Sequence, residues 1–309
     1  QLPRQIVIER GYSSSVHVRL GPLGRHVESH IGQVRHALKH LQNVRRSNLM
    51  RAVEMHHLEP WAGDVQGWRV LDVGCGHGFY SVGLALRGAH LIGCDLSVSD
   101  LDAAQQTARG LELDHAAYLS ADASALPFAQ DSVDLVICNC VMEHVASDLQ
   151  ALVGMCSALR PGGLLFLTVD HAEHGLALSF VEQLPQRAKS LLLRPQVSGA
   201  ATVAQGFDDY VAEEYAVERR YRKDKLEATL VALGLDILDR RAYLTSLGAA
   251  HYEFFHMFRG VEPQRGLGRF LHMLSSLVLF PFVVHIDGNG GQGGYGLMFV
   301  ARKSGAHTG

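Results

Sequence analysis

Apolar positions recur at three- and four-residue steps between residues 26 and 60, where Val27, Ile31, Val34, Leu38 and Leu41 would line one face of a helix. His26, His30, His36 and His40 fall mostly off that stripe and read as part of a solvated face. Upstream, the strand-like runs Gln5–Ile8 and Val16–Leu20 flank a Gly/Ser turn, which predicts a short hairpin. From residue 69 the pattern changes to short apolar runs at Arg69–Val73, His90–Cys94, Ala117–Ser120, Val133–Cys138 and Leu164–Val169. Helical spacing returns between them at 79–87, 98–111 and 147–159, the last stopped by Arg160-Pro161-Gly162-Gly163. Strands alternating with helices predict a parallel sheet covered on both faces.

Beyond Val169 the rhythm breaks. A helix at Lys223–Leu233, stopped by Gly234, leads to a strand at Asp236–Leu244, and a last strand at Tyr295–Ala301 closes the pattern. The segments 171–222 and 246–290 are long for connections in a compact domain, so they read as lid or substrate-binding inserts. The division expected is an N-terminal arm and helices over 1–67, covering substrate or cofactor, and a main domain over 68–309 carrying both inserts. In and just before the second insert, Tyr243, His251, Tyr252, Glu253 and His256 cluster, and His251 with Phe255 one turn later could line a substrate pocket, although a packed amphipathic helix explains them more simply. Residues 267–286 are mostly apolar but carry Arg269, His272, Pro281 and His285, which predicts a buried or interfacial helix followed by a strand rather than a membrane span. Such a segment could also line a pocket for a greasy substrate or make peripheral contact with lipid.

Composition narrows the functional classes. The 309 residues carry a net charge of −3 and are 47% hydrophobic, as in a globular enzyme and without the basic excess of a nucleic-acid binder. Cys75, Cys94, Cys138, Cys140 and Cys156 contain no Cys-x-x-Cys pair, so buried free thiols in a reducing compartment are expected and a metal site is not. No secretory leader pattern is visible, and a cytoplasmic location is the expectation.

The chemistry concentrates in Val70-Leu71-Asp72-Val73-Gly74-Cys75-Gly76-His77-Gly78, a buried strand running into a glycine-rich turn and then a helix. Glycine allows a sharp turn with positive φ and lets a ligand approach where a Cβ would collide. A dinucleotide site needs Gly-x-Gly-x-x-Gly, whereas the third glycine here comes one residue early, which argues against a nicotinamide enzyme. Asp95 ends the second strand, where an acidic side chain can accept ribose hydroxyls, and Asp122 follows the third. Either aspartate could instead cap a helix.

The runs VLDVGCGHG, IGCDLS, SADASALPFAQDSVDLVICNCVMEHV and LRPGGLLFLTV, in this order and at these distances, resemble class I S-adenosylmethionine-dependent methyltransferases. The resemblance covers about residues 68–170 and is narrowest to the small-molecule group that includes the ubiquinone and menaquinone methyltransferases. It implies a doubly wound seven-stranded α/β sheet of Rossmann-like type, mostly parallel, with the last strand antiparallel. It further implies that Gly74, Gly76 and Gly78 shape the loop under the methionine and ribose, and that Asp72 orders the loop near the amino group. Asp95 would take the ribose hydroxyls and Leu96 would pack on the adenine. Asp122 would accept from the adenine amino group, the Ala123 N–H would meet a ring nitrogen, and the Asn139 backbone would meet the methionine amino group.

Methyl transfer from a sulfonium is an in-line displacement that needs alignment and exclusion of water, and an O–H nucleophile also benefits from a general base. His144 is the first candidate base, with Glu143 beside it, and His171 follows the fifth strand on the same edge. Some quinone-pathway O-methyltransferases bind a divalent cation through two Glu and a His in this motif; Cys140 stands at the other Glu position, which disfavours a hard-cation site. The expected activity is transfer to an oxygen of a lipophilic or glycosylated small molecule, with a carbon acceptor of natural-product or isoprenoid type close behind. A non-catalytic cofactor-binding partner protein is the alternative of another class, and a homodimer is compatible with either.

Overall fold

The computed structural model describes residues 7–9, 17–19, 49–172, 219–245, 247–249, 251, 266–288 and 294–305. The N-terminal unit, Gln1–Asn43, contains the predicted hairpin: β1 (Val7–Glu9) pairs antiparallel with β2 (His17–Arg19). The helical stripe at 27–41 and its histidines lie outside the described residues.

The second unit, Val44–Gly309, is built on a seven-stranded sheet. Helix α1 (Leu49–Leu58) precedes β3 (Arg69–Val73), α2 (Ser81–Ala85), β4 (His90–Asp95), α3 (Val98–Gly110) and β5 (Ala116–Ser120). Then come β6 (Val133–Asn139), α4 (Asp148–Ala158), β7 (Leu159–Asp170), α5 (Lys223–Ala232), β8 (Leu235–Thr245), α6 (Gly266–Gly288) and β9 (Gly294–Lys303). The spatial order is β5-β4-β3-β6-β7-β9-β8. Strands β3 to β7 pair in parallel, and β9 lies antiparallel between β7 and β8. The sequence-based expectation of a doubly wound, Rossmann-like α/β sheet with an antiparallel last strand is met.

The central strands are apolar without alternation because helices cover both faces of the sheet. Val136, Ile137 and Cys138 of β6 and Leu165, Phe166 and Leu167 of β7 are buried throughout. Leu152 and Met155 of α4 and Leu226 and Leu230 of α5 join Leu71, Leu165 and Phe299 in one core cluster. Helices α1 and α6 pack against each other and against β8.

Two local expectations are corrected. Strand β7 begins at Leu159, not Leu164, and the helix-stopping Arg160-Pro161-Gly162-Gly163 becomes a bulge: Val133 pairs with Leu159, yet Leu135 pairs with Leu164. Asp134 anchors that bulge by accepting from the Arg160 guanidinium and from the Arg69 backbone N–H at 2.7 Å. The apolar stretch 267–286 is one helix, α6, with Pro281 inside it, rather than a helix followed by a strand. Asp287 near its end accepts from the Leu244 and Thr245 N–H groups at 2.9 and 3.1 Å, which ties the helix to the end of β8. No described helix is long and apolar enough to cross a membrane.

Candidate active site

The order of the sheet reverses at β3, with β4 and β5 on one side and β6 and β7 on the other. Open α/β sheets bind ligands in the crevice at such a switch point, beyond the carboxyl ends of the strands. The glycine turn lies there. Gly74, Gly76 and Gly78 all have positive φ, at 68°, 49° and 72°. A Cβ on Gly74 would meet Val141 Cγ2 at 2.2 Å, and one on Gly78 would meet the Tyr118 hydroxyl at 2.8 Å. A Cβ on Gly76 would find no atom nearer than Asp100 Oδ2 at 4.0 Å, so that glycine faces open space.

Asp95 ends β4, as the sequence predicts. Its Oδ2 accepts from the Gly76 N–H at 2.8 Å and its Oδ1 from the Ser97 N–H at 2.9 Å. The cap of α3 is Ser97, whose Oγ accepts from the Asp100 N–H at 3.3 Å, so Asp95 is not the capping residue. Leu96 beside it is half-buried. Asp122 does cap the short 3₁₀ turn Ala123–Ala125, accepting from the Ser124 N–H at 2.8 Å, yet it remains exposed. Asp72, on β3 beneath the turn, is fully buried; desolvation pushes its carboxyl up to about 7, and its Oδ2 has no hydrogen-bond partner. Asn139 ends β6, buried, with Oδ1 accepting from Thr168 Oγ1 at 3.3 Å and Nδ2 without a partner. Orphaned buried polar atoms and an open glycine at one sheet edge fit a ligand carrying a polar amino-acid end.

The candidate bases occupy different settings. Glu143 is buried and accepts from the Asp170 N–H at 2.9 Å, while its Oε2 has no partner. Burial pushes its carboxyl up to about 8. His144 is half-buried in the 3₁₀ turn Met142–His144. His171 is buried against β9, with Nδ1 at 3.2 Å from the Gly294 carbonyl. The sheet edge therefore gathers Glu143 and Asn139 near the cofactor strands and sets His171 against β9. Among the described residues, no group of three His, Cys, Asp or Glu is placed to hold a metal ion.

A second polar cluster is absent from the sequence-based reading. Glu54 of α1 is only 1% exposed. Its Oε1 accepts from the Tyr243 hydroxyl at 2.5 Å, from Thr168 Oγ1 at 3.3 Å and from the Cys140 thiol at 3.4 Å; its Oε2 accepts from the Tyr80 hydroxyl. Arg51 Nη1 donates to the same Tyr80 oxygen at 3.1 Å and lies over the Phe79 and Tyr80 rings. Cys140, immediately after the carboxyl end of β6, has a φ of 53°, a left-handed conformation uncommon for a non-glycine residue. Tyr243 thus belongs to this cluster. His251 meets Ser275 Oγ of α6 at 2.9 Å, and the other members of its sequence group lie outside the described residues. Two signals could have exposed the cluster: an acid among Met50, Val53, Met55 and Leu58, and two glycines inside or beside the last strand.

The methyltransferase domain family matches residues 71–167, from β3 through the body of β7. Residues 71–167 thus carry a methyltransferase domain. S-Adenosylmethionine is the cofactor of that domain, and the open Gly76 with the orphaned Asp72 and Asn139 atoms suits its polar end. The chain is 33% identical over 183 residues to a ubiquinone biosynthesis O-methyltransferase of Rhizobium johnstonii, covering 58% of this chain and 64% of that protein. It is 37% identical over 132 residues to a ubiquinone biosynthesis O-methyltransferase of Leptothrix cholodnii, covering 42% of this chain and 56% of that protein. The chain therefore spans less than two thirds of the length of these relatives. The fold is similar to an S-adenosylmethionine-dependent methyltransferase from Mesorhizobium loti, with a TM-score of 0.51 and 19% identity, covering 82% of this chain and 100% of that one.

Proposed function

We propose that this protein transfers a methyl group from S-adenosylmethionine to an oxygen of a lipophilic or glycosylated small molecule. The observation that carries the reading is the glycine turn at the sheet's switch point, tied by its own Gly76 N–H to Asp95. The cofactor supplies an electrophilic methyl on a sulfonium, so the chain must bind, orient and keep water out. Asp95 and Leu96 take the ribose and adenine side, and Asp122 with the Ala123 N–H reads the adenine edge. Gly74, Gly76 and Gly78 admit the backbone, while Asp72 and Asn139 face the amino-acid end. Arg51, over the rings that follow the turn, supplies a cation for the carboxylate.

The oxygen acceptor draws support from the O-methyltransferase names of the relatives at about a third identity. A carbon acceptor of isoprenoid type is the second reading, favoured by the apolar helix α6. His144 is the base proposed for an O–H acceptor, with His171 second. Glu143, held near 8, is protonated at neutral pH and would act there by positioning rather than by taking a proton. Leu274, Leu277, Val278, Phe282 and Ile286 form an exposed stripe along α6, and through it the helix would meet a greasy acceptor or a lipid surface. A homodimer through the same stripe is the competing use. Five free cysteines suit a reducing, cytoplasmic setting.

The test is transfer of labelled methyl from S-adenosylmethionine to a panel of phenols, catechols and glycosides of graded lipophilicity, with product analysis by mass spectrometry. Methoxy products support the reading, C-methyl products favour the second one, and cofactor binding without any transfer favours a non-catalytic partner.

A further inference from the structure

Burying a carboxylate costs several kcal/mol unless donors surround it. Glu54 receives donors from two opposite sides. Tyr80 comes from the start of α2, two residues beyond Gly78, and Tyr243 comes from the far strand of the sheet. The reach of Tyr243 is built in: a Cβ on Gly296 would lie 2.4 Å from its ring, and one on Gly294 would lie 2.2 Å from its carbonyl oxygen. Both positions are glycine, so the ring can cross β9 toward α1. Burial and the neighbouring Glu54 push both phenols well above the ordinary tyrosine range, so both remain protonated donors.

The direction of the relay follows. The Tyr80 proton is committed to Glu54, which leaves the Tyr80 oxygen as acceptor for Arg51 Nη1. The guanidinium carbon lies 5.3 and 5.4 Å from the Phe79 and Tyr80 ring centres, so two rings and the Tyr80 hydroxyl help to hold its position. A cation is thereby held immediately after the glycine turn by a helix that lies outside the methyltransferase motifs. We propose that Glu54 is a positioning residue for methyl-donor binding: through Tyr80 it fixes the Arg51 guanidinium where it meets the carboxylate of the donor's amino-acid tail. This rests on the donor-site reading above.

Two ligands separate positioning from general support of the fold. S-Adenosylhomocysteine carries the amino-acid tail, and 5′-methylthioadenosine keeps the nucleoside but lacks that tail. Calorimetry is run with both on the full chain, wild type and Tyr80→Phe, with Glu54→Gln as a second variant. Tyr80→Phe keeps the buried ring and removes only the relay hydroxyl. The expected result is about a tenfold loss of S-adenosylhomocysteine affinity in each variant, with 5′-methylthioadenosine changed less than about twofold. Equal losses for both ligands, or no loss for S-adenosylhomocysteine, overturn the positioning role. Wild-type protein that binds neither ligand overturns the donor site itself, and the relay with it.

Discussion

The two ends of this sheet treat buried acids in opposite ways. At the amino end Asp134 is clamped by Arg69 and Arg160, and these bonds hold its carboxyl below the usual range despite partial burial. At the carboxyl end Asp72 and Glu143 are buried without a cation bonded to them, and desolvation raises both, to about 7 and about 8. Each of these two also has an oxygen without a hydrogen-bond partner. Asp134 is thus satisfied by its own neighbours, whereas the two acids at the carboxyl end keep polar capacity for a ligand. An end built only for stability would not hold two acids in that state.

The largest effect should come from filling the turn. Gly74→Val places a side chain against Val141 at a positive φ. Left-handed strain of roughly 1–2 kcal/mol adds to overpacking of about 1–3 kcal/mol. Chemical denaturation should register that loss, and cofactor binding should vanish in calorimetry. Retained binding would mean that the turn does not form the site.

Next comes the pH response. Folded Asp72 and Glu143 keep their protons up to about pH 7 and 8, while their ordinary values are 3.8 and 4.5. Between those limits the folded chain holds more protons than the unfolded one, so stability should fall as pH rises from about 4 to 8. Urea unfolding across that range should show the decline, and Glu143→Gln should flatten its upper part. A stability rising through the window would contradict the burial argument. The smallest effect belongs to the amino end. Asp134→Ala removes bonds to partly exposed arginines, so it should cost about 1 kcal/mol in unfolding experiments and leave cofactor affinity unchanged. Because the Asp134 carboxyl is held low, its contribution should be present above about pH 4 and lost as pH falls further.

The contrast also marks what the chain discloses in one dimension. Local patterns specify β3, β4 and the glycine turn, because consecutive residues supply strand, bend and helix; Arg69–Val73 is bounded in the structure as the pattern predicts. The donor-side acids sit at strand ends and are legible for the same reason. The Glu54 cluster is not legible that way. It joins residues 54, 80, 140, 168 and 243, whose meeting depends on β9 entering antiparallel between β7 and β8. The bulge at Arg160–Gly163 was equally hidden, because Asp134 on a neighbouring strand captures the arginine that follows the helix. Helix α6 shows the limit of period reading: Pro281 and His285 suggest an interruption, while packing against α1 and β8 keeps one helix.

The most direct measurement is a calorimetric titration of S-adenosylhomocysteine into the wild-type chain, Asp95→Asn and Asp134→Ala. Saturable binding to one site is predicted for the wild type and for Asp134→Ala. Asp95→Asn should be weaker by about tenfold or more, since a charged hydrogen-bonding group is worth about 1.5–3 kcal/mol. No wild-type binding at millimolar ligand, or equal affinity in Asp95→Asn, would contradict the assignment of the carboxyl end as the methyl-donor site.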